Sequence, residues 1–435
     1  MRKNRLTVFF GVLALLIVAG TILSLPPVWL RVTYYAQQIY ADIFYKLNPP
    51  EQSVFTPGQS TPDDVATAVQ GTLNALNPIS SPTPDPSPQP TSTPIPLPSS
   101  VLLTGVKQEP QRWNNCGPAT LSMHLSYWGW TYPADLKFEL PQDYVAPFLK
   151  PNDRDKNVMP YEMQTFVEEQ PNLGALVRMG GDLYTIKALL NAGFPVMIEK
   201  GFEGNDFDGW MGHYNLVVGY DDAKQVIFTQ DSYLLAREKN AANFEVTYEA
   251  LQANWRAFNY IFLVVYPTDK LNDVLNTLGP LADETNAFRI AYDRAVLETS
   301  SLPEPREQYF AWYNAGTSLY KLRDYTNASV AYDMAFNIYP NITKKERPWR
   351  MLWYQTGPYF AYYFSARYPD VINLADTTLS AMVEPILEES YHWRALAELA
   401  LGDQDAAIKD LRAALKYHDN FAPSLEQLQL LGVTP

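Results

Sequence analysis

The spacing of apolar positions divides the chain into a mixed region and a purely helical region. In the mixed region, apolar residues at helical spacing predict helices over residues 118–128 and 185–191. Runs rich in β-branched and aromatic residues predict four strands, at residues 194–198, 213–220, 225–229 and 258–266. A helix followed by a mostly antiparallel sheet is typical of the α+β class.

From about residue 275 onward the apolar spacing is helical throughout, and the sequence contains an internal repeat. The heptapeptide IAYDRAV, which starts at Ile290, recurs as VAYDMAF from Val330. Small residues, aromatic residues and a proline follow Trp312 at regular distances, and a second copy of this pattern begins at Tyr391.

This pattern resembles tetratricopeptide repeats, in which small residues let paired helices approach and aromatic residues fill the space between repeats. The resemblance covers most of residues 275–425, although the copy around residues 353–382 is degenerate. It implies an all-α, tetratricopeptide-like solenoid over residues 275–430, and a plain helical bundle is the alternative.

Residues 6–25 form an apolar run without a charged residue. At a helical rise of ~1.5 Å per residue, a run of this length spans the ~30 Å hydrocarbon core of a bilayer. Arg2, Lys3 and Arg5 precede the run, which favours a cytoplasmic amino terminus and export of the rest of the chain. We therefore expect a single N-terminal transmembrane helix, with a cleaved signal peptide as the alternative.

Two further segments connect this run to the mixed region. Aromatic residues at roughly helical spacing in residues 29–45 predict a helix, either at the membrane interface or against its own domain. Nine of the residues 78–100 are proline, which predicts a semi-rigid stalk, with a proline-rich recognition ligand as the alternative. The predicted organisation is an anchor with its juxtamembrane helix (1–50), a Pro/Ser/Thr-rich linker (51–100), an α+β domain (101–268) and the helical repeats.

Charge and cysteine content exclude several classes of protein. The net charge is −14 and the pI is near 4.8, so nucleic-acid binding, which needs a basic surface, is not expected. The single cysteine, Cys116, excludes an intramolecular disulfide and a multi-cysteine zinc site. We predict no metal and no cofactor.

Cys116 stands in the sequence QRWNNCGP, directly before a predicted helix whose first turn contains Pro118. The unpaired amides and the dipole of a helix N-terminus stabilise a thiolate, which is the reactive form of cysteine. We therefore predict that Cys116 is a nucleophile, and a buried unreactive cysteine is the alternative.

A cysteine nucleophile needs a general base, and the chain contains four histidines. His124 lies on the same predicted helix, about 12 Å from Cys116 along the helix axis. His392 and His418 belong to the helical region. Elimination leaves His213, which follows a glycine-bearing loop and begins a predicted strand.

Two further groups complete the predicted site. Asp231 follows the strand that returns from His213, so it is the predicted partner of the imidazole, with Asn215 as a weaker candidate. Gln111 lies five residues before the nucleophile. Its side-chain amide is the predicted oxyanion donor, alongside the N–H group of the nucleophile itself, and Gln108 is the fallback.

The order Gln, Cys, His, Asp and the motifs CGP and GHYNLVVGYD resemble papain-like cysteine peptidases, and more narrowly the bacteriocin-leader-processing peptidase family and its stand-alone relatives. The resemblance covers about residues 100–267, with a serine in place of the proline that often follows the acid. It implies that Cys116 attacks a peptide carbonyl, His213 shuttles the proton and Asp231 orients the imidazole. It also implies that Gln111 donates to the oxyanion.

Together these features predict a bacterial, membrane-anchored and exported cysteine peptidase that cleaves a peptide or protein, with repeats that dock a protein partner. Asp206, Phe207 and Trp210, which precede the histidine, are candidates to line the substrate cleft. Two alternatives stay open: a non-catalytic papain-like binding module, and an amide-forming acyltransferase or transglutaminase-like enzyme that uses the same residues with an amine acceptor.

Overall fold

The computed structural model divides into two compact units, Met1–Pro50 and Glu51–Pro435. It describes residues 36, 39–41, 43–50, 53–58, 96–150, 152, 157–170, 172–203, 209–236 and 242–435.

In the smaller unit, the described residues between 36 and 47 are helical, as the aromatic spacing predicted. No helix within the described ranges is both long enough and apolar enough to cross a bilayer. The predicted transmembrane run at residues 6–25 lies outside those ranges, and so does most of the proline-rich sequence.

An antiparallel sheet lies at the centre of the region that carries Cys116. Its strands are β1 (Ser100–Leu102), β2 (Leu173–Arg178), β3 (Val196–Glu203), β4 (Trp210–Asp221), β5 (Val226–Gln230), β6 (Phe244–Thr247) and β7 (Phe262–Pro267). Their order across the sheet is β2-β7-β3-β4-β5-β6, and β1 pairs with the last residues of β4. The antiparallel sheet confirms the predicted α+β class.

Among the described residues, six helices surround this sheet. They are α1 (Cys116–Tyr127), α2 (Gln142–Leu149), α3 (Pro160–Glu168), α4 (Leu183–Asn191), α5 (Ser232–Leu235) and α6 (Tyr248–Arg256). In β7, Leu263 packs with α1 and α3 on one face, whereas Phe262 packs with α4 and α6 on the other. Both faces of the sheet are therefore buried, which explains why its central strands are continuously apolar rather than alternating.

The chain beyond the sheet is helical. Its helices are α7 (Leu271–Leu278), α8 (Glu284–Ser301), α9 (Pro305–Lys321), α10 (Tyr325–Ile338), α11 (Met351–Tyr354), α12 (Gly357–Phe364), α13 (Tyr368–Ser380), α14 (Glu388–Leu401), α15 (Gln404–Tyr417) and α16 (Ala422–Leu430). The pairs α9/α10 and α14/α15 lie where the two repeat copies were predicted. Gly316 lies against the ring of Tyr332, where a Cβ would approach the ring to 2.9 Å, so this small residue is needed for α9 and α10 to pack closely.

The sheet and the helical region share one apolar core. Trp210 of β4 is 3% exposed and stacks on Phe258, with ring centroids 5.7 Å apart. On its other side Trp210 contacts Phe310 of α9, at 5.9 Å. The helical region is therefore packed directly against the strand that carries His213.

Two predicted strand starts are wrong. β4 begins at Trp210 rather than at His213, so Gly212 lies inside the strand. A Cβ on Gly212 would lie 2.8 Å from the ring of Phe258, so this glycine serves close packing and does not provide a flexible loop. β7 begins four residues later than predicted, because Asn259 and Tyr260 adopt positive φ angles of 52° and 54° in a turn after α6.

Gly219 provides a test of the contact that joins β1 to β4. It lies at a bulge in β4, where a Cβ would be only 2.4 Å from the carbonyl oxygen of Val101. We expect Gly219→Ala to lower the free energy of unfolding by about 1–3 kcal/mol, because the added methyl group must push β1 away. Urea denaturation followed by tryptophan fluorescence measures this loss.

The control is Leu102→Ala in β1. Because Leu102 is 47% exposed, we expect this substitution to lower the free energy of unfolding by less than Gly219→Ala does. Equal stability of Gly219→Ala and wild type would contradict the close approach.

Candidate active site

Cys116 is the first residue of α1, so its thiol lies at the N-terminal end of a twelve-residue helix. The first N–H groups of a helix have no acceptor within it, and together with the helix dipole they favour an anion. Asn114 adopts a positive φ of 53° in the turn that leads into the helix. Gly117, which follows Cys116, packs against Val158. A Cβ at Gly117 would lie 3.2 Å from the side chain of Val158.

His213 supplies the imidazole next to this thiol. It lies in β4 with 2% of its surface exposed, and it forms a hydrogen bond with Cys116. Its Nε2 atom is 2.9 Å from Oδ1 of Asp231, so Nδ1 is the nitrogen that serves the sulfur. The rings of Phe202 and Tyr233 flank the imidazole, with centroids 4.9 Å and 6.3 Å away.

Asp231 is held in place by the helix that it begins. As the N-cap of α5, it accepts main-chain hydrogen bonds from Tyr233 at 3.0 Å and Leu234 at 3.2 Å. Burial by itself would raise the pKa of Asp231, but the charge and hydrogen bond of His213 keep that pKa well below its usual range. Asn215, the weaker candidate, is buried beside Asp231 and adds to this effect.

The contact between Cys116 and His213 reverses the effect of burial on both groups. Burial raises the pKa of the thiol, but the hydrogen bond and charge of His213 lower it below its usual value. Burial likewise lowers the pKa of the imidazole, but Asp231 and Cys116 together raise it to about 9. The arrangement therefore favours a thiolate–imidazolium pair at neutral pH.

Gln111 lies against the segment that contains Asp231. Its main-chain N–H donates to the carbonyl oxygen of Ser232 at 3.0 Å, and its Oε1 accepts from the Ser232 hydroxyl, also at 3.0 Å. These two bonds tie the chain before Cys116 to the start of α5. Because Oε1 accepts from the Ser232 hydroxyl, the Nε2 amide group is the end of the side chain that can donate to a substrate oxygen. Its role as oxyanion donor stays a prediction.

The sequence analysis missed a buried cation beside the nucleophile. Lys150 follows α2, and its Nζ donates to the carbonyl oxygen of Asn114 at 2.9 Å and to Oδ1 of Asn115 at 3.3 Å. Its positive charge contributes to the lowered pKa of Cys116. No local pattern connects a lysine at the end of one helix with a cysteine at the start of another.

A buried acid on β3 was missed as well. Burial raises the pKa of Glu199 well above its usual value, although a hydrogen bond with Tyr214 opposes this shift and the charge of Cys116 adds to it. Burial therefore favours the neutral form of Glu199, which lies close to Cys116. The available signal was a charged residue inside an apolar strand, because such residues are buried only when the surrounding structure demands it.

The helical region also contacts the strand next to the site. Arg350 donates from Nη1 to the carbonyl oxygen of Trp210 at 3.0 Å. The ring of Tyr354 lies against Gly212, and its hydroxyl meets the main chain there. The charge of Cys116 contributes to the raised pKa of Tyr354, so this ring also lies close to the thiol.

The other three histidines are placed in ways that agree with their elimination. His124 is fully buried under the sheet, accepts from the N–H of Val265 at 3.4 Å, and has a pKa lowered to about 3 by burial. His392 contacts Ser424, and His418 contacts Glu388, in both cases at 3.2 Å and within the helical region.

One residue expected to line the cleft does not do so. Trp210 is buried in the core shared with the helical region, because β4 starts earlier than predicted. Asp206 and Phe207 lie outside the described residues.

Part of the chain is similar to known proteins. Residues 103–261 match the Peptidase_C39 like family. A protein described as a C39-like peptidase from Bacillus anthracis is 17% identical, with a TM-score of 0.29, over 38% of this chain and 97% of that chain. No curated protein matches the sequence. The family match supports a C39-like, papain-like cysteine peptidase domain, and the helical region lies outside the matched residues.

Alkylation of Cys116 tests the electrostatics of the site. As pH rises through the lowered thiol pKa, the thiolate forms and iodoacetamide reacts, at a pH below that expected for an ordinary thiol of pKa ~8.5. Asp231→Asn removes a charge that raises the pKa of His213, so less imidazolium is present to stabilise the thiolate. We expect the midpoint of the rate profile to move to higher pH by about one unit or more, which slows alkylation about tenfold at any pH below both midpoints.

The control is Asp221→Asn, at the last residue of β4, where the carboxylate accepts from the N–H of Ala223 at 2.9 Å. Its profile should match that of wild type. Superimposable profiles for wild type and Asp231→Asn would contradict the assigned electrostatics.

The hydrogen bond from Arg350 to Trp210 leads to a second prediction. Arg350→Met removes the hydrogen bond to Trp210, so the strand that positions His213 loses a support. We expect alkylation of Cys116 at pH 7 to slow by about tenfold, because small displacements of reacting groups are costly. Arg412→Met is the matched control, since Arg412 lies on α15 and contacts Thr434 instead. If both variants react alike, the helical region does not position the base.

Proposed function

We propose that this protein is a membrane-anchored, exported cysteine peptidase that hydrolyses peptide bonds through Cys116. The observation that carries the proposal is the continuous contact from the thiol at the start of α1, through His213, to Asp231. A nucleophile, a base and a group that orients the base form the minimum set for covalent acyl transfer.

In the proposed reaction, the thiolate of Cys116 attacks the carbonyl carbon of a peptide bond. The resulting oxyanion accepts hydrogen bonds from the N–H of Cys116 and from the Gln111 amide. The imidazolium of His213 gives its proton to the leaving amine, and a thioester remains. Neutral His213 then takes a proton from water, and the hydroxide releases the acid and restores the thiolate. Asp231 stays ionised throughout and stabilises the imidazolium.

The buried charges favour this function over a binding module. An ion pair inside a protein costs desolvation energy that a recognition surface does not need. Here Lys150, His213 and Asp231 are all buried around a single sulfur, and each charge favours the reactive form of the cysteine or the charged form of its base.

Anchoring and export are part of the proposal. The uncharged run at residues 6–25 supports an anchor, and the basic residues before it support a cytoplasmic amino terminus. The helix after it exposes Ile39, Ile43 and Leu47, which are spaced four residues apart on one face. Such an apolar face is suited to a membrane interface.

We also propose that the helical region is a tetratricopeptide-like solenoid that docks a protein. The packing of Gly316 on Tyr332 supports a paired-helix repeat in α9 and α10. In the second pair, Ala395, Ala407 and Ala414 are buried between α14 and α15, as the repeat pattern requires.

Peptide digestion by the full chain in lipid vesicles tests the activity. With a proteome-derived peptide library, we expect wild-type protein to produce new amino termini and Cys116→Ala to produce none. His213→Ala should reduce the rate by about a thousandfold or more, whereas Asp221→Asn should cleave like wild type.

Two results would contradict hydrolysis. Products that carry an added amine, formed only when an amine is supplied, would indicate an acyltransferase. Binding of peptides without cleavage, equal in wild type and Cys116→Ala, would indicate a recognition module.

A further inference from the structure

Residues 53–58, which we call the strap, lie in a groove of the helical region. The side chain of Phe55 is 4% exposed and inserts between two aromatic rings. Its ring centroid is 4.9 Å from that of Phe336 in α10 and 5.9 Å from that of Tyr362 in α12. Pro57 is buried as well, whereas the side chain of Thr56 points to solvent. The strap is therefore seated by Phe55 and Pro57, and Val54 packs partly against the same cluster.

A pair of charged side chains binds the main chain of the last strap residue. The N–H of Gly58 donates to Oδ1 of Asp370 at 2.7 Å. The carbonyl oxygen of Gly58 accepts from Nη2 of Arg367 at 3.0 Å. Both main-chain groups of one residue are thus satisfied by groups that carry full charge, and such hydrogen bonds are stronger than neutral ones.

These side chains are held in place by the helical region itself. Arg367 contacts Oδ2 of Asp370 and Oδ2 of Asp333, both at 2.7 Å. Asp333 in turn accepts from the hydroxyl of Tyr362 at 2.9 Å, the same tyrosine whose ring contacts Phe55. The aromatic pocket and the charged pair therefore form one preorganised site, defined by Asp333, Phe336, Tyr362, Arg367 and Asp370.

The site also selects the residue that it binds. A Cβ on Gly58 would lie 3.2 Å from both carboxylate oxygens of Asp370. A larger residue would require the carboxylate of Asp370 to shift by a few tenths of an ångström. The site therefore favours a glycine three positions after an aromatic residue.

We propose that the helical region contains a peptide-binding site, separate from the active site, that takes extended peptides of this kind and is occupied in cis by the strap. In the strap, Phe55 supplies the buried area. The hydrogen bonds from Gly58 to Asp370 and from Arg367 to Gly58 fix the direction and register of the peptide. This proposal does not depend on peptidase activity, because none of the five site residues touches Cys116 or His213.

The chain is bound to this folded unit at the strap and again after the proline-rich sequence. There, the carbonyl oxygen of Ser99 accepts from the N–H of Asp222 at 2.8 Å, and that of Pro98 accepts from the hydroxyl of Tyr220 at 2.7 Å. The described residues 53–58 and 96–100 therefore contact the same folded unit.

Cutting the chain between the strap and residue 96 tests the proposal. The full chain carries Cys116→Ala, an N-terminal tag and an inserted site for a sequence-specific protease within residues 78–95. After cleavage in detergent, the tagged fragment should stay bound to the rest of the protein through the strap. Phe55→Ala and Gly58→Ala should each release it at least about tenfold faster, whereas Thr56→Ala should release it at the wild-type rate.

A peptide in trans provides a second arm, which does not depend on how the fragment is retained. A fluorescent peptide with the sequence of residues 51–60 should bind uncut Phe55→Ala protein and not uncut wild type, in which the strap occupies the site. Adding Arg367→Ala to Phe55→Ala should abolish this binding.

Three results would overturn the proposal. The first is release of the wild-type fragment as fast as that of Gly58→Ala. The second is retention in both Phe55→Ala and Gly58→Ala, which would place the attachment elsewhere. The third is exchange of straps between two copies, seen as a dimer before cleavage, which would contradict occupation in cis.

Discussion

The site depends on one buried electrostatic contact, in which the sulfur at the start of α1 lies against an imidazole whose far nitrogen is held by a carboxylate. Burial alone would neutralise both Cys116 and His213. Each becomes charged because the other does, and because the charge of Asp231, which His213 keeps ionised, favours the imidazolium. Each member of this set is therefore supported by a different element: a helix start, a central strand and a second helix start.

The strand β4 connects this contact to the rest of the protein. It pairs with β3 and β5 along most of its length and with β1 at its end. At its beginning it packs against α9 and α11 of the helical region. The imidazole thus belongs to the most constrained strand of the sheet, and the helical region contributes to that constraint. A domain that was expected only to dock partners is also part of the scaffold of the site.

Much of this arrangement was predictable because the relevant residues are scarce. A single cysteine and four histidines left few combinations, and the return of the chain after His213 placed Asp231 near it. The helix that begins at Cys116 and the strands β3, β4, β5 and β7 followed from their apolar spacing, whereas β1, β2 and β6 were not predicted. The role of Gly212 was misinterpreted. A glycine is needed there because the rings of Phe258 and Tyr354 pack against it, and Tyr354 is 142 positions away in sequence.

Lys150 and the strap were missed for the same reason. Each is defined by contacts with residues far along the chain, and local periodicity carries no information about such contacts. The strap lies in a stretch whose composition indicated only a linker, although Phe55 and Gly58 both contact the helical region.

The support of Trp210 by Arg350 also has a consequence for biosynthesis. The two residues are 140 positions apart, and a ribosome completes the earlier one several seconds before the later one at typical rates of about 5–20 residues per second. A nascent chain therefore holds both the sulfur and the imidazole before it has the arginine that contacts the strand of His213. We expect this strand to gain its last support only after residue 350 has been synthesised and has emerged from the ribosome.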